Sequence, residues 1–192
     1  VRNGATILFG TSSFYRIYTK SSKLNPLMFA SLRIAIAGAM KLDESVSNAF
    51  YQKFGLRLYE GYGATETSPV VSVNLPDMLD PQSLQPLRFH KPGSVGHPIP
   101  GTAVMIVDSK TMEPRKRGSE GMVLIGGCQV MQGYYKQPEK TAQVLQTRKD
   151  MTYYVSGDMG YLDEEGFLVI TGRYSRFVKT GGEMVSLQAV ET

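Results

Sequence analysis

The sequence predicts an α/β plus β fold, because strands that alternate with a helix are followed by a region of short strands. The first 63 residues contain three apolar runs typical of buried strands, with a helical pattern between the second and third. Short connections between strand, helix and strand favour a parallel sheet. From residue 102 onward, short apolar runs alternate with turn signals, which indicates antiparallel strands.

The predicted parallel layer consists of three strands and one helix. Glycines bound the strand candidates "GATILFG" (4–10) and "LRIAIAG" (32–38), and "LRLYE" (56–60) is the third. Apolar residues recur at helical spacing between Asp43 and Phe54. Asp43 is placed to cap the start of this helix and Gly55 to end it.

Residues 75–101 contain six prolines and few periodic positions, so they are expected to form a long connector. A second helix is predicted at about 138–146, with a proline near its first turn. The "DEEG" of residues 163–166, between two apolar runs, predicts a hairpin turn. The other strand candidates of this region are "AVMIVD" (103–108) and "GMVLIGG" (121–127).

Composition excludes several classes of protein. The 192 residues are 42% hydrophobic, with no apolar run near the roughly 18 residues of a membrane span. A single cysteine, Cys128, excludes a disulfide framework and a cysteine-rich zinc site, and we expect it to be buried. Net charge is only +4 and the basic run Arg115–Arg117 fits a solvated loop, so no nucleic-acid partner is expected. His90 and His97 are interpreted as loop residues.

A candidate nucleotide site follows the third strand, where open α/β sheets bind ligands. Gly61 and Gly63 would permit positive φ and close approach of a ligand to the backbone. Tyr62 offers a flat face for a purine, and Thr65 a hydroxyl for a phosphate oxygen. Glu66 supplies an oxygen ligand of the kind that magnesium prefers. The alternative interpretation is a tight turn with a partly buried tyrosine.

A second candidate group lies at the ends of the predicted hairpin. Asp158 precedes the hairpin and Arg173 follows it, so the two residues should be neighbours. The carboxylate could accept hydrogen bonds from ribose hydroxyls, and the guanidinium could reach the sugar or a phosphate. A surface salt bridge is the alternative. A third stretch, 176–186, contains the glycine pair 181–182, which suggests a movable loop. Taken alone, a strand followed by a turn is the better interpretation.

In their order and spacing these groups resemble the adenylate-forming superfamily of acyl-CoA synthetases, peptide-synthetase adenylation domains and luciferases. "GYGATE" resembles the Y-G-x-T-E motif of that family, and "GSVGHPIPG" its glycine- and proline-rich connector. "GYYKQPEKT" matches G-Y-x-x-x-P-E-x-T, and "YYVSGDMGYLDEEGFLVITGR" matches the T-G-D to G-R block. "VKTGGEMVSLQAVE" is similar to the segment after the hinge. The resemblance covers nearly the whole chain.

The resemblance implies a fold and a division of the chain. Residues 1–90 would be part of the α/β nucleotide-binding subdomain, and 91–172 a small distorted β-barrel subdomain. Residues 173–192 would be the interdomain hinge, at Ser175, and the start of a carboxy-terminal subdomain. The phosphate loop of the family would precede Val1 and its late catalytic lysine would follow Thr192, so this piece alone is expected to be inactive.

The resemblance also implies a reaction. A fatty acid would react with ATP and Mg²⁺ to give an acyl-adenylate, from which a phosphopantetheine thiol would take the acyl group. Thr65 would hold the α-phosphate and Glu66 the metal, and these two are the expected catalytic residues. The nucleotide would further contact Ala37, Gly38, Ala39, Gly61, Tyr62, Gly63, Asp158 and Arg173.

A narrower resemblance is to the acyl-acyl carrier protein synthetase part of bifunctional 2-acylglycerophosphoethanolamine acyltransferases. It rests on "LRIAIAGAMKL", "EGYGATETSPVVSVNLP" and "RFVKTGGEMVSLQAVE". Ser175, Arg176 and Met184 depart from the aspartates and arginine that most relatives carry, which leaves the hinge and thiol contacts open. The implied partners are a fatty acid, acyl carrier protein or CoA, and a lysophospholipid through an acyltransferase domain outside the chain. The expected location is cytoplasmic, with the parent protein attached to the inner face of the membrane.

Two other classes of function remain open. The chain could be a non-catalytic module that senses an adenylate or docks a carrier protein. It could also be a basic interaction domain for nucleic acid, which the modest charge disfavours. An intact phosphate loop and late lysine in the parent gene would decide for the enzyme.

Overall fold

The computed structural model describes residues 4–180 and 183–186. The chain divides into two compact units. The first runs to Gly63 and resumes over Ser72–Gly96, and the second comprises Ala64–Val71 and the chain from His97 onward. The predicted boundaries at 90 and 172 concern the domains of the intact protein and stay predictions.

The first unit is a parallel sheet covered by helices. Strands β1, β2 and β3 pair in that order and parallel to one another, as predicted, and β4 lies beside β3. The bounds are β1 Ile7–Gly10, α1 Ser12–Lys20, β2 Ile34–Ala37, α2 Glu44–Phe54, β3 Leu58–Gly63 and β4 Val70–Val73. Only the last two residues of β4 belong to this unit. A short hairpin follows, made by β5 Met78–Leu79 and β6 Pro86–Leu87.

Helix α2 begins and ends at the predicted residues. The Asp43 side chain accepts a hydrogen bond from the Ser45 N–H at 2.8 Å, which satisfies one donor of the first turn. Gly55 closes the helix with φ of 68°, a left-handed conformation that glycine adopts without a steric penalty. The two cap residues therefore set the start and the end of α2, so both ends could be predicted from local sequence.

Helix α1 was not predicted from the sequence. Its pattern is obscured because Phe14 and Ile17 are exposed while Tyr15 is fully buried. The Thr11 hydroxyl caps its start by accepting from the Phe14 N–H. Tyr15 then packs edge-on against Phe50 and donates its hydroxyl to the carbonyl of Ile36 at 2.9 Å, which anchors α1 to the aromatic core of the first unit.

The second unit is a mainly antiparallel half-barrel. Its strands are β7 His97–Pro98, β8 Thr102–Val107, β9 Gly121–Gly127, β10 Leu145–Arg148, β11 Met151–Leu162 and β12 Leu168–Arg173, with helix α3 at Pro138–Val144 and a terminal hairpin β13 Phe177–Thr180 and β14 Glu183–Ser186. The sheet order is β10-β11-β9-β8, with β12 on β11. The α/β plus β fold class is therefore confirmed, and the predicted turn at 163–166 joins β11 to β12.

The prediction for Cys128 was wrong. The residue is exposed just beyond β9, because the continuous buried run of that strand ends at Gly126 and Gly127 has φ of 140°. The apolar core of this unit instead contains Val107, Met122, Leu124 and Tyr153. Within the described ranges, no helix is long and apolar enough to cross a bilayer.

Candidate functional site

Strand β3 continues through the glycine motif instead of ending before it. Gly61 does not use positive φ, so the conformational reason predicted for this glycine was wrong. A Cβ at Gly61 would lie 3.3 Å from the Ser72 carbonyl oxygen and 3.4 Å from Ile36 Cγ2. The neighbouring strands therefore leave little room for a side chain there, and the close approach is made by atoms of the protein itself.

Residues 37–39 and Gly61 were predicted to contact the same nucleotide, and the loop after β2 lies beside Gly61. Ala37 is buried and pairs in register with Glu60, and Gly38 donates its N–H to the Gly10 carbonyl at 3.0 Å. A Cβ on Gly38 would come 3.7 Å from the carbonyl oxygen of Gly61. Ala39 follows with φ of 67°, which is uncommon for alanine. The predicted residues 37–39 and 61 thus form one backbone cluster in the first unit.

Glu60 stabilises the backbone cluster of residues 37–39 and 61 by a hydrogen bond. Its carboxylate accepts a hydrogen bond from the Leu42 N–H at 2.9 Å and so ties the loop after β2 to β3. Burial raises the pKa of Glu60 above its ordinary value, and the Leu42 hydrogen bond and nearby Lys41 counter part of the increase. Sequence analysis did not single out this residue.

In the second unit, a short turn presents Thr65 and Glu66. Thr67 is fully buried, and its hydroxyl lies 2.9 Å from both the Ala64 and Pro69 carbonyl oxygens. It also accepts a hydrogen bond from the Ala64 N–H at 3.1 Å. Thr65 is exposed at the start of this turn. Thr67 therefore forms the framework of the turn, and Thr65 keeps an accessible hydroxyl.

The Glu66 carboxylate is held by a tyrosine hydroxyl. Tyr134 donates its hydroxyl to Glu66 Oε1 at 2.6 Å, and Tyr154 also contributes to a lower pKa of this carboxyl. The Tyr134 hydrogen bond lowers the pKa of Glu66 more than partial burial raises it. The Glu66 carbonyl also accepts from the Met131 N–H at 2.8 Å. Sequence analysis missed both tyrosines, although Tyr134 lies in the quoted G-Y-x-x-x-P-E-x-T motif.

Asp158 and Arg173 are neighbours, as the hairpin predicted. They pair in register across β11 and β12, and Arg173 Nε donates to Asp158 Oδ1 at 2.9 Å. The Asp158 side chain is 9% exposed and that of Arg173 is 64% exposed. The carboxylate therefore lies inside and the guanidinium remains accessible, an arrangement more specific than an ordinary surface salt bridge.

A bulge in β11 positions this aspartate. The pairing of β11 with β9 shifts between Val155 and Met159, and Gly157 takes φ of 72°. Ser156 donates its hydroxyl to the Val123 carbonyl at 2.8 Å and accepts from the Asp158 N–H at 3.0 Å. The Ser-Gly-Asp sequence thus interrupts the pairing and fixes the direction of the aspartate side chain.

Tyr154 connects the two predicted groups of the second unit. Burial raises its pKa to about 12, with further contributions from Glu66, Tyr134 and Asp158 and an opposing one from Arg173. The pKa of Tyr154 thus responds both to Glu66 and to the Asp158–Arg173 pair. Tyr62 and its glycines belong to the first unit, and the prediction that they share one hollow with these groups stays a prediction.

The remaining predicted features are simple to place. Ser175 is exposed in a single 3-10 turn, Tyr174–Arg176, directly after β12. The glycine pair 181–182 lies outside the described residues.

In the part of the chain that the structure covers, no group of three or more His, Cys, Asp or Glu side chains could hold a metal. Glu66 alone fits Mg²⁺ that arrives with a nucleotide, because magnesium commonly binds one carboxylate together with substrate phosphates and water.

Comparison with known proteins identifies the family. A family profile described as AMP-binding enzyme matches residues 1–135, more than half of the chain. The chain belongs to the AMP-binding enzyme family.

Relatives of this AMP-binding chain include the long-chain-fatty-acid–CoA ligase of Bacillus subtilis, which is 32% identical over 97% of the chain and 31% of the relative. The long-chain-fatty-acid–CoA ligase of Escherichia coli O157:H7 is 30% identical over 97% of the chain and 30% of the relative. A crystal structure of ATP-bound MatB from Rhodopseudomonas palustris superposes with a TM-score of 0.77 at 29% identity, covering 97% of the chain and 34% of that protein. The chain thus spans about a third of the length of the relatives it matches.

Proposed function

We propose that the intact protein activates a fatty acid with ATP and transfers the acyl group to a phosphopantetheine thiol. The observation that carries the proposal is the buried Asp158 carboxylate paired with the accessible Arg173 guanidinium, in the same unit as the Glu66 carboxylate that Tyr134 holds. These groups supply one carboxylate compatible with a metal and another suited to ribose hydroxyls. Membership of the AMP-binding family and the named ligase relatives support the same chemistry.

The reaction proceeds in two displacements. A fatty carboxylate oxygen attacks the α-phosphorus of ATP and the bond to pyrophosphate breaks, which gives acyl-AMP. A thiolate then attacks the acyl carbonyl, AMP departs with the carboxyl oxygen, and the thiol proton passes to solvent. Bound Mg²⁺ neutralises phosphate charge in the first step. Such transfers depend on positioning and charge stabilisation more than on covalent help from the protein.

Each predicted residue has a task in this proposal. Thr65 donates its exposed hydroxyl to an α-phosphate oxygen, and Glu66 offers its carboxylate to the metal. Asp158 accepts hydrogen bonds from the ribose hydroxyls, and Arg173 stays beside it. The adenine lies against the backbone cluster of the first unit, made by residues 37–39 and 61–63, with its face on Tyr62. Rotation at Ser175 separates the two half-reactions.

The acceptor and the biological context are finer parts of the proposal. The long-chain-fatty-acid–CoA ligases among the relatives favour a fatty acid with CoA as the thiol. The narrower sequence resemblance favours acyl carrier protein and a phospholipid-recycling protein whose acyltransferase domain acts on a lysophospholipid. In that case the protein acts in the cytoplasm, at the inner face of the membrane. Assays with either thiol distinguish the two acceptors.

The test is fatty-acid-dependent ATP–pyrophosphate exchange by the complete gene product that contains this chain. We expect exchange that requires Mg²⁺ and formation of an acyl thioester once a thiol is added. The chain alone is expected to show no exchange, and measurable exchange by it would contradict that part of the proposal. Nucleotide binding without exchange in the complete protein would instead favour a non-catalytic adenylate-sensing module.

A further inference from the structure

The Glu66 carboxylate is not free to rotate in the second unit. Tyr134 donates to its Oε1 atom at 2.6 Å, the length of a strong charge-assisted hydrogen bond. The backbone carbonyl of the same residue accepts from the Met131 N–H at 2.8 Å, so main chain and side chain are both held. A glutamate side chain has three rotatable bonds, so a short hydrogen bond to its carboxylate restricts it strongly.

Tyr134 is itself fixed by surrounding structure. The Tyr134 N–H donates to Thr141 Oγ1 at 2.9 Å, and Thr141 donates in turn to the Gln137 carbonyl at 2.9 Å at the start of α3. Lys140 Nζ lies 4.5 Å from the centre of the Tyr134 ring. The donor therefore lies in the segment that leads into α3, and residues of α3 hold it in place.

We propose that Tyr134 is a positioning residue that holds the Glu66 carboxylate in the orientation used to bind the metal–nucleotide complex. The inference rests on the proposed function and adds a role that the sequence motifs did not assign. An ionised carboxylate has about four acceptor sites, so one donated hydrogen bond leaves room for a metal ion. The tyrosine removes rotational freedom before the ligand arrives, which reduces the entropy lost on binding.

The residue next to Tyr134 provides a matched control. Tyr135 is 84% exposed, and Lys136 Nζ lies 5.3 Å from its ring centre, so its surroundings also include a lysine. Replacing either tyrosine by phenylalanine removes one hydroxyl and keeps the ring. Only the Tyr134 hydroxyl contacts Glu66 in this pair of neighbours.

The experiment compares Mg·ATP binding with AMP binding in EDTA, by calorimetry on the complete gene product. We expect Tyr134→Phe to weaken Mg·ATP binding about tenfold, the usual effect of losing one hydrogen bond to a charged group. AMP binding without metal should stay unchanged, and Tyr135→Phe should change neither affinity. Thr141→Val removes the side-chain acceptor of the Tyr134 N–H and should also weaken Mg·ATP binding selectively, so it provides the test if Tyr134→Phe does not fold.

Each outcome separates this inference from the function on which it rests. If the wild-type protein binds neither Mg·ATP nor AMP, the proposed function itself is overturned. If the wild type binds both and Tyr134→Phe, or Thr141→Val in its place, binds Mg·ATP equally well, the positioning role is overturned. An equal loss for Mg·ATP and AMP would also overturn it, because a merely structural defect does not distinguish the two ligands.

Discussion

The six residues of "GYGATE" are supported in two different ways. Gly61, Tyr62 and Gly63 belong to the first unit, where the Ser72 carbonyl and neighbouring side chains leave little space for a side chain at Gly61. Ala64 to Glu66 belong to the second unit, where hydroxyl groups of Thr67 and Tyr134 hold the turn. One half of a continuous motif therefore depends on packing and the other on side-chain hydrogen bonds.

The difference indicates how each half should respond to substitution. A packed backbone tolerates no added volume, so defects there should reduce stability before they change ligand binding. The Asp158–Arg173 pair includes an accessible guanidinium, so one of its side chains can be replaced while the fold is kept. The following substitutions test this contrast, beginning with the largest expected effect.

The tightest packing of the first unit lies outside the motif, at Gly96, where a substitution should have the largest effect. A Cβ there would lie 2.0 Å from the carbonyl carbon of Val73, next to β3, and Gly96 has φ of 86°. We expect Gly96→Ala to cost more than about 4 kcal/mol in the free energy of unfolding, because backbone must move. Gly93→Ala is the control, with φ of 79° and no atom within 4 Å of a Cβ, and should cost about 1 kcal/mol. Urea denaturation of both variants checks this, and equal costs would contradict it.

The side-chain cluster of the second unit should lose ligand binding and keep its fold when Asp158 is replaced. Asp158→Ala eliminates two charge-assisted hydrogen bonds to a ribose, so we expect AMP affinity to fall about 100-fold. Its melting temperature should change little, because the Arg173 side chain that remains is 64% exposed. Asp150→Ala, at an exposed position before β11, is the control. Unchanged AMP affinity in calorimetry of Asp158→Ala would remove this residue from the site.

The smallest effect is expected for Glu60→Gln and depends on pH. Burial raises the pKa of Glu60, so the folded state binds its proton more tightly than the unfolded state does. The contribution of Glu60 to the free energy of unfolding is fully present below the ordinary pKa of a glutamate. This contribution is lost as the pH rises through the raised pKa of the folded state. Glutamine can still accept from the Leu42 N–H and does not titrate.

The stability of Glu60→Gln relative to wild type should therefore increase between pH 4 and pH 7. Urea midpoints at several pH values measure it. Glu113→Gln, at an exposed loop position, should show no such trend. A constant difference between wild type and Glu60→Gln over this range would show that Glu60 does not titrate differently in the two states.

Sequence reasoning succeeded where the determinants are local. Caps at Asp43 and Gly55 defined α2, and the turn at 163–166 predicted the contact of Asp158 with Arg173. It failed where tertiary packing decided the outcome. Exposed Phe14 and Ile17 hid α1, and the role of Gly61 depends on Ser72 in a different strand.

The candidate site was predictable only in part for the same reason. Spacing and resemblance selected Thr65, Glu66, Asp158 and Arg173, because these residues lie in continuous motifs. Tyr134 contacts Glu66 from 68 positions away, and no periodicity or turn signal relates two such distant residues. Only the folded half-barrel brings them together.

Strand β11 has a consequence for ligand selection. It carries the buried Asp158 directly after Gly157, whose φ of 72° interrupts the regular pairing, so the bulge sets the position of the aspartate. Pairing with β9 and β12 fixes that position before any ligand arrives. Under the proposed function, a nucleotide whose ribose lacks one of its two hydroxyls should therefore lose a hydrogen bond that no movement of the strand can restore.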